Sequence, residues 1–319
     1  MQVIGNICQG NYLFISPSNA MITEIHLLSS PSWIDYELLD SGNGQKLERF
    51  GPYTFTRPEV QALWKQAAPP EIWKDANAVF QPSGEESGGH WVVQRKIPEQ
   101  WEMSYRDLRF SVMTTHGRHL GVFPECAANW DWMGKLISEA KTYPGRSPQV
   151  LNLFGYTGLA SLACAANGAR VTHLDASKKS VAWARKNQEI SGLQEKPIRW
   201  IVDDAQKFVE REIRRGVKYD GLVLDPPKFG RGPKGEVWEV YESLPGLLSS
   251  CGKILSDTPL FVVLTIYAVK LPALHALVAL QEMMDGFGGR LECGELVTKE
   301  KSAGRLLSQA IYARWESVS

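Results

Sequence analysis

No lysine or arginine occurs before Lys46, and the whole chain has no excess of either sign, with 35 basic residues against 35 acidic ones. A secretory leader needs a basic start and a transit peptide needs arginines, so neither is expected. Up to residue 149 there are 13 Lys/Arg against 16 Asp/Glu, and beyond it 22 against 19. A non-specific nucleic-acid binder would carry a much larger basic excess, so any nucleic-acid contact is expected to be a local patch. Cysteine is scarce. Cys8, Cys126, Cys164, Cys251 and Cys293 are scattered, and no pair has metal-ligand spacing. That excludes a disulfide framework and argues against a zinc site. A reducing, cytoplasmic setting without a metal is the expectation. Apolar runs stay below membrane-spanning length, so no membrane partner is expected either.

What is there is ordinary globular material: 319 residues, 44% hydrophobic and 22% charged, enough for one large or two moderate domains. Two differently patterned regions follow a short extension, 1–21. From 22 to 120, short alternating runs such as those starting at Trp91, Trp101 and Leu108 read as strands. Ile97-Pro98 and Arg106-Asp107 read as hairpin connections between them, and 81–89 as a flexible loop. The tryptophans crowded here are assigned to core packing rather than base stacking. From 121 to 319 the pattern becomes alternating strands and helices. Strands are expected near 149–153, 170–174, 198–202, 220–224, 259–264, 290–297 and 308–314. Helices are expected near 158–167, 177–190, 205–215, 236–250 and 272–285. The last two strands lack an intervening helix, so they should close the sheet as an antiparallel pair.

Ligands of such sheets sit beyond the carboxyl ends of the strands. After the first of these strands comes Asn152-Leu-Phe154-Gly155-Tyr-Thr-Gly158, which opens a helix. Gly155 suits a sharp turn with close approach to a ligand, and Gly158 close helix packing. The next strand ends in Asp175, well placed for two ribose hydroxyls. The third ends in Asp203-Asp204-Ala205, where Asp203 reads as a helix N-cap and Asp204 as an acceptor for an adenine amino group. No basic residue and no full three-glycine pattern is there to meet a pyrophosphate, which favours a nucleoside cofactor without phosphates. The fourth strand ends in Asp225-Pro226-Pro227-Lys228-Phe229. The prolines lock the backbone and remove two donors. An acceptor carboxylate is thereby left beside a ring able to stack on a flat, nitrogen-bearing substrate. Arg231 and Lys234, in a glycine-rich loop just beyond, are candidates for substrate phosphates.

These runs, 150–158, 173–177, 202–204 and 224–229, together resemble successive motifs of class I S-adenosylmethionine-dependent methyltransferases. They are most similar to the bacterial large-subunit (23S) ribosomal RNA methyltransferases of the cytosine-5 and guanine-N7 type. The resemblance covers about 115 to 319. It implies a Rossmann-like α/β fold: a seven-stranded class I methyltransferase sheet with an N-terminal β-rich accessory domain for substrate recognition. It implies S-adenosylmethionine lying over Asn152, Phe154, Gly155 and Gly158, ribose on Asp175 beside Ala176, and adenine beside Asp204 and Ala205. Phe123, Pro124 and Glu125 look like that family's extra cofactor-contacting segment. Asp225, Pro226, Pro227, Lys228 and Phe229 carry the acceptor chemistry.

One departure bears on mechanism. Cytosine-5 enzymes of this family use a cysteine beside the proline motif or after the fifth strand, where this chain has Pro226 and Thr265-Ile-Tyr267. Cys251 and Cys293 read as buried structural thiols. Methylation of a nitrogen on a base of RNA, ribosomal RNA in particular, by a monomer or homodimer is therefore the expectation. A methyltransferase for a protein side chain or small molecule, an NAD-dependent dehydrogenase and a cofactor-binding RNA chaperone are the alternatives.

Overall fold

The computed structural model describes residues 24–30, 33–83, 88–140, 146–267 and 269–318. Its elements run β1 (His26–Ser29), β2 (Tyr36–Gly42), β3 (Gln45–Phe50), β4 (Tyr53–Pro58), α1 (Pro70–Lys74), β5 (Ala78–Pro82), β6 (Gly89–Val93), β7 (Trp101–Tyr105) and β8 (Leu108–Val112). Then follow α2 (Ala127–Glu139), β9 (Gln149–Leu153), α3 (Leu159–Ala166), β10 (Arg170–Asp175), α4 (Lys178–Ile190), β11 (Ile198–Val202), α5 (Ala205–Arg215) and β12 (Gly221–Leu224). The chain closes with β13 (Phe229–Arg231), β14 (Val237–Glu239), α6 (Val240–Gly252), β15 (Phe261–Ile266), α7 (Ala273–Met283), β16 (Gly289–Lys299) and β17 (Leu306–Ser317). Among the described residues no helix is long and apolar enough to cross a membrane.

The N-terminal strands form a five-stranded sheet ordered β2-β3-β4-β5-β6, with a separate β7–β8 hairpin turning at Arg106 and Asp107. Ile97-Pro98 is not a hairpin connection. β6 pairs with β5, opposing Trp91 to Phe80, whose rings lie 5.2 Å apart edge to face. Burying Trp91 against Phe80 and Phe55 outweighs pairing with the next strand in sequence. The 81–89 stretch is a strand end on each side, and 84–87 lies outside the described residues. Trp73, Trp101 and Trp130 are buried in the core.

The large sheet has the order β1-β16-β17-β15-β12-β9-β10-β11. All seven expected strands are present, the last two antiparallel to each other, and β1 adds an eighth by pairing in parallel with β16. The short strands β9 and β12 are almost wholly buried apolar runs, as befits strands covered on both faces by helices. The chain leaves β9 toward β10 and β11, then returns to place β12 on the opposite flank of β9. Strand order therefore reverses between β9 and β12, and the crevice at their carboxyl ends is where such folds hold ligands.

Two differences from expectation bear on the site. α2 carries Trp130, Met133 and Ile137 inward at helical spacing, a stripe the pattern contained but which went unread. Residues 237–239 begin as a strand rather than as the helix expected from 236, because they pair antiparallel with Phe229–Arg231. One apolar core runs from Phe50, Phe55 and Trp101 through Val122 and Trp130 to Leu159 and Leu162, so the β-rich half packs directly against the large sheet.

Candidate active site

The loop after β9 is held in an uncommon shape. Phe154 and Tyr156 have φ of 60° and 48°, and Gly158 of 88°. For residues with side chains the left-handed region costs about 1–2 kcal/mol each. The neighbouring strand imposes it. Gly155 N–H donates to the Leu174 carbonyl at 2.9 Å and Tyr156 N–H to Asp175 Oδ2 at 2.9 Å. Thr157 Oγ1 binds the Gly121 carbonyl at 2.7 Å, tying the loop to the 121–126 segment. A side chain at Gly155 would strike His173, 2.4 Å from its Cε1. Close approach to β10 by itself requires a glycine here. Gly158 packs on α4 as expected, where an added Cβ would lie 2.8 Å from that of Ala184.

The acids at the strand tips differ in their partners. Asp175 accepts from Tyr156 N–H and, at 2.8 Å, from Ser177 N–H. Burial nevertheless raises its pKa, with those two bonds acting the other way. The expected cap needs correction: Asp204, not Asp203, caps α5, its Oδ1 accepting from Lys207 N–H at 3.0 Å. Asp203 instead pairs with Arg211 at 2.5 Å. Sequence could not separate two adjacent acids, because which one caps depends on where the helix starts. Ala176 is half-buried after β10, and Ala205 is the buried first residue of α5.

Asp225, at the end of β12, is unlike the others. Its Oδ1 is buried with no hydrogen-bond partner. Burial, and secondarily the charge of Glu125, pushes its carboxyl well above the usual carboxylate range. It lines a cleft open to solvent, whose walls include Phe123, Cys126, Asn152, Phe154 and Tyr156. Of the expected 123–125 segment, Phe123 lines this cleft, while the carbonyls of Pro124 and Glu125 accept from Ser30 Oγ. Glu125 is buried and its pKa is likewise raised, by desolvation first.

Cys126 was missed. Sequence reasoning looked for a thiol beside Pro226 or after the fifth strand, yet this one comes from a 3₁₀ turn before β9. Its Sγ lies 2.6 Å from the hydroxyl of Tyr267, the residue standing just past β15. Burial, then the charges of Asp225 and Glu125, raise the Cys126 pKa well above its ordinary value. It is held as a thiol, not as the thiolate that nucleophilic attack requires. Cys251 and Cys293 are fully buried.

Beyond Pro226, which is buried, and Pro227, which is exposed, the glycine-rich stretch forms the β13–β14 hairpin. Phe229 is 56% exposed on its outer face, and Arg231 and Lys234 are also exposed. Lys228 is half-buried, and its carbonyl accepts from Val240 N–H. On the inner face Trp238 packs against Phe154 and donates to the Pro227 carbonyl. Basic residues in the turn between the last two strands are largely engaged by acids. Arg305 pairs with Asp40 and Glu300, and Lys301 with Glu37.

The sequence pattern of the S-adenosylmethionine-dependent methyltransferases matches residues 77–279. The chain belongs to that family. A crystal structure of an S-adenosylmethionine-dependent methyltransferase from Agrobacterium tumefaciens is 44% identical, with a TM-score of 0.87 over 92% of this chain and 94% of that one. Ribosomal RNA large subunit methyltransferase K/L of Shewanella baltica is 38% identical over 112 residues, 34% of this chain but 15% of that protein. Ribosomal RNA large subunit methyltransferase I of Klebsiella pneumoniae is 39% identical over 82 residues, 25% of this chain and 20% of that protein. This chain thus matches only a minor part of the length of either ribosomal RNA enzyme. A methyltransferase solved with S-adenosylhomocysteine shares the fold at a TM-score of 0.61 and 18% identity, over 88% of this chain and 75% of that one. Membership makes the protein an enzyme that uses S-adenosylmethionine and removes the dehydrogenase and chaperone alternatives. The residues present fit that cofactor: a left-handed loop free of basic residues from 147 to 169 abuts an orphaned buried carboxylate oxygen at the switch point.

Proposed function

We propose that this methyltransferase modifies a nitrogen of an RNA base, with large-subunit ribosomal RNA as its substrate. The observation that carries the reading is the unpartnered, buried Oδ1 of Asp225, a residue that lines the cleft together with Phe154. A buried carboxyl without a partner costs free energy unless something supplies a donor. An exocyclic amine or ring N–H is such a donor, and its hydrogen bond favours the ionised form that burial otherwise opposes. When bound, S-adenosylmethionine supplies an electrophilic methyl group. Asn152, Phe154, Gly155 and Gly158 form its bed, closed by the Phe123-Pro124-Glu125 segment. Asp175 with Ala176 holds the ribose, and Asp204 with Ala205 the adenine.

On the acceptor side, Pro226 and Pro227 hold Asp225 rigidly past the strand, Phe229 stacks on the base, and Lys228, Arg231 and Lys234 meet backbone phosphates. Alignment of the reacting atoms is the main contribution asked of the protein, an effect capable of several kcal/mol. Asp225 takes up the proton that the nitrogen loses. A covalent route through a pyrimidine carbon is disfavoured by the protonated state of Cys126. The names of the K/L and I relatives support ribosomal RNA as the substrate class.

Nucleoside mass spectrometry of ribosomal RNA from cells with and without the protein tests the reading. A nitrogen-methylated nucleoside should disappear with the gene. Loss of 5-methylcytidine instead, or a denaturant-stable adduct with 5-fluorocytidine-substituted RNA, would reject the nitrogen assignment. Label from tritiated S-adenosylmethionine entering protein or metabolites but not RNA would reject the substrate class.

A further inference from the structure

The β13–β14 hairpin has only three residues in each strand, too few to be stable alone. Its two faces differ. Phe229, Arg231 and Val237 point outward, and Val237 is 62% exposed. Inward, Gly230 opposes Trp238 across the strands. Trp238 is 7% exposed and makes two contacts at once. Its Nε1–H donates to the Pro227 carbonyl at 2.7 Å, at the short end for such a bond. Its ring lies 4.8 Å from that of Phe154, tilted by 57°, within the range of favourable aromatic pairs.

One contact therefore reaches the turn that carries Asp225, and the other reaches the loop residue with a left-handed backbone. Only tryptophan offers both a broad ring and an N–H donor aligned along its edge. We infer that Trp238 is a positioning residue that couples the cofactor loop at Phe154 to the Asp225-Pro226-Pro227 turn and the hairpin. The outer face carrying Phe229 is thereby held at a spacing set by the cofactor side. The coupling is reciprocal: whatever tightens the Phe154 loop tightens the hairpin, and the reverse. This rests on the placement of the cofactor over Phe154 and not on the identity of the methyl acceptor.

The test uses the full chain and S-adenosylhomocysteine, with amide hydrogen exchange as the readout. In the wild type, the ligand should slow exchange both in the loop at 154–157 and in the hairpin, including Gly232 N–H, which donates to the Glu236 carbonyl. Trp238→Phe keeps a ring but loses the N–H. It should retain loop protection and lose hairpin protection, with S-adenosylhomocysteine affinity changed by less than about threefold. Its kcat should fall roughly tenfold or more while KM for the cofactor stays near wild type. If Trp238→Phe fails to fold, incorporation of benzothienylalanine, which replaces only the N–H by sulfur, decides the matter by the same measurement.

A hairpin that ignores the ligand in the wild type, or that responds equally in either variant, overturns the inference. Should the wild type leave RNA unlabelled, the RNA reading falls while the exchange result still decides the coupling.

Discussion

Asp175 and Asp225 end the strands on either side of β9, and burial raises the pKa of both. They differ in what their own chain provides. Asp175 receives two backbone N–H groups and holds the loop after β9 in shape. Asp225 has an oxygen that receives nothing. The first carboxylate is part of the architecture whether or not a ligand is present. The second is a destabilising group whose missing partner has to arrive from outside, an arrangement typical of functional sites. Two acids with the same place in the fold are thus distinguished by their local hydrogen bonds.

The sharpest way to break this contrast is at Asp225. Asp225→Asn should lower methyl transfer by roughly 10²-fold or more while leaving S-adenosylhomocysteine affinity within a few fold of wild type, read by calorimetry. The same substitution should raise the melting temperature at neutral pH, because it removes a buried carboxyl that lacks a partner. The sign follows from linkage. The folded-state pKa of Asp225 lies above the unfolded value of about 3.9, so the folded form holds its proton longer. Its contribution falls as pH rises through that window, and Asp225→Asn should flatten this part of the stability profile. An unchanged slope would show that Asp225 has found a partner in solution.

Asp175→Asn should act in the opposite direction on stability. Asn offers one acceptor oxygen where Asp offers two, so one of the Tyr156 and Ser177 N–H groups loses its partner, which should cost about 1–2 kcal/mol and weaken S-adenosylhomocysteine binding roughly tenfold. Stabilisation instead would mean that the two acids are equivalent and the contrast is false.

Smaller still, Phe229→Ala should leave the melting temperature unchanged, since the ring is exposed. It should raise KM for RNA by several fold, consistent with about 1 kcal/mol of lost stacking. At the acid end, His173 is buried and His119 half-buried, and desolvation pushes both down to about 3. Unfolded histidine titrates near about 6.5, so stability should be lost as pH falls from there toward 3, in either aspartate variant. Melting curves across that range would show it.

The contrast also marks how far reading residues in order could go. The acid-tipped strands and the glycine turn were legible, because parallel strands buried on both faces read as apolar runs that end abruptly in polar residues. The same reading put the cap of α5 on Asp203 rather than Asp204, since the starting residue of α5 is settled by packing and not by composition. It missed Cys126 because the cleft's thiol arrives from a turn a hundred residues away from the proline motif. It took Gly230–Gly235 for a loose loop, although the partner strand, Val237–Glu239, was next to it and hidden under a helical pattern. β1 was invisible as a sheet member, because four residues carry little periodicity and its partner β16 lies more than 250 positions away.

Sequence alone determined the seven main strands of the second half and the residue types at each strand tip, because alternation and apolar runs are local properties of the chain. It also determined that the glycine turn itself carries no basic residue. Only the tertiary structure decided which carboxylate is left without a partner, which thiol faces the cleft and which tryptophan joins the two sides of the site. Those depend on distances between segments remote in sequence, and on the exclusion of water from the space between them.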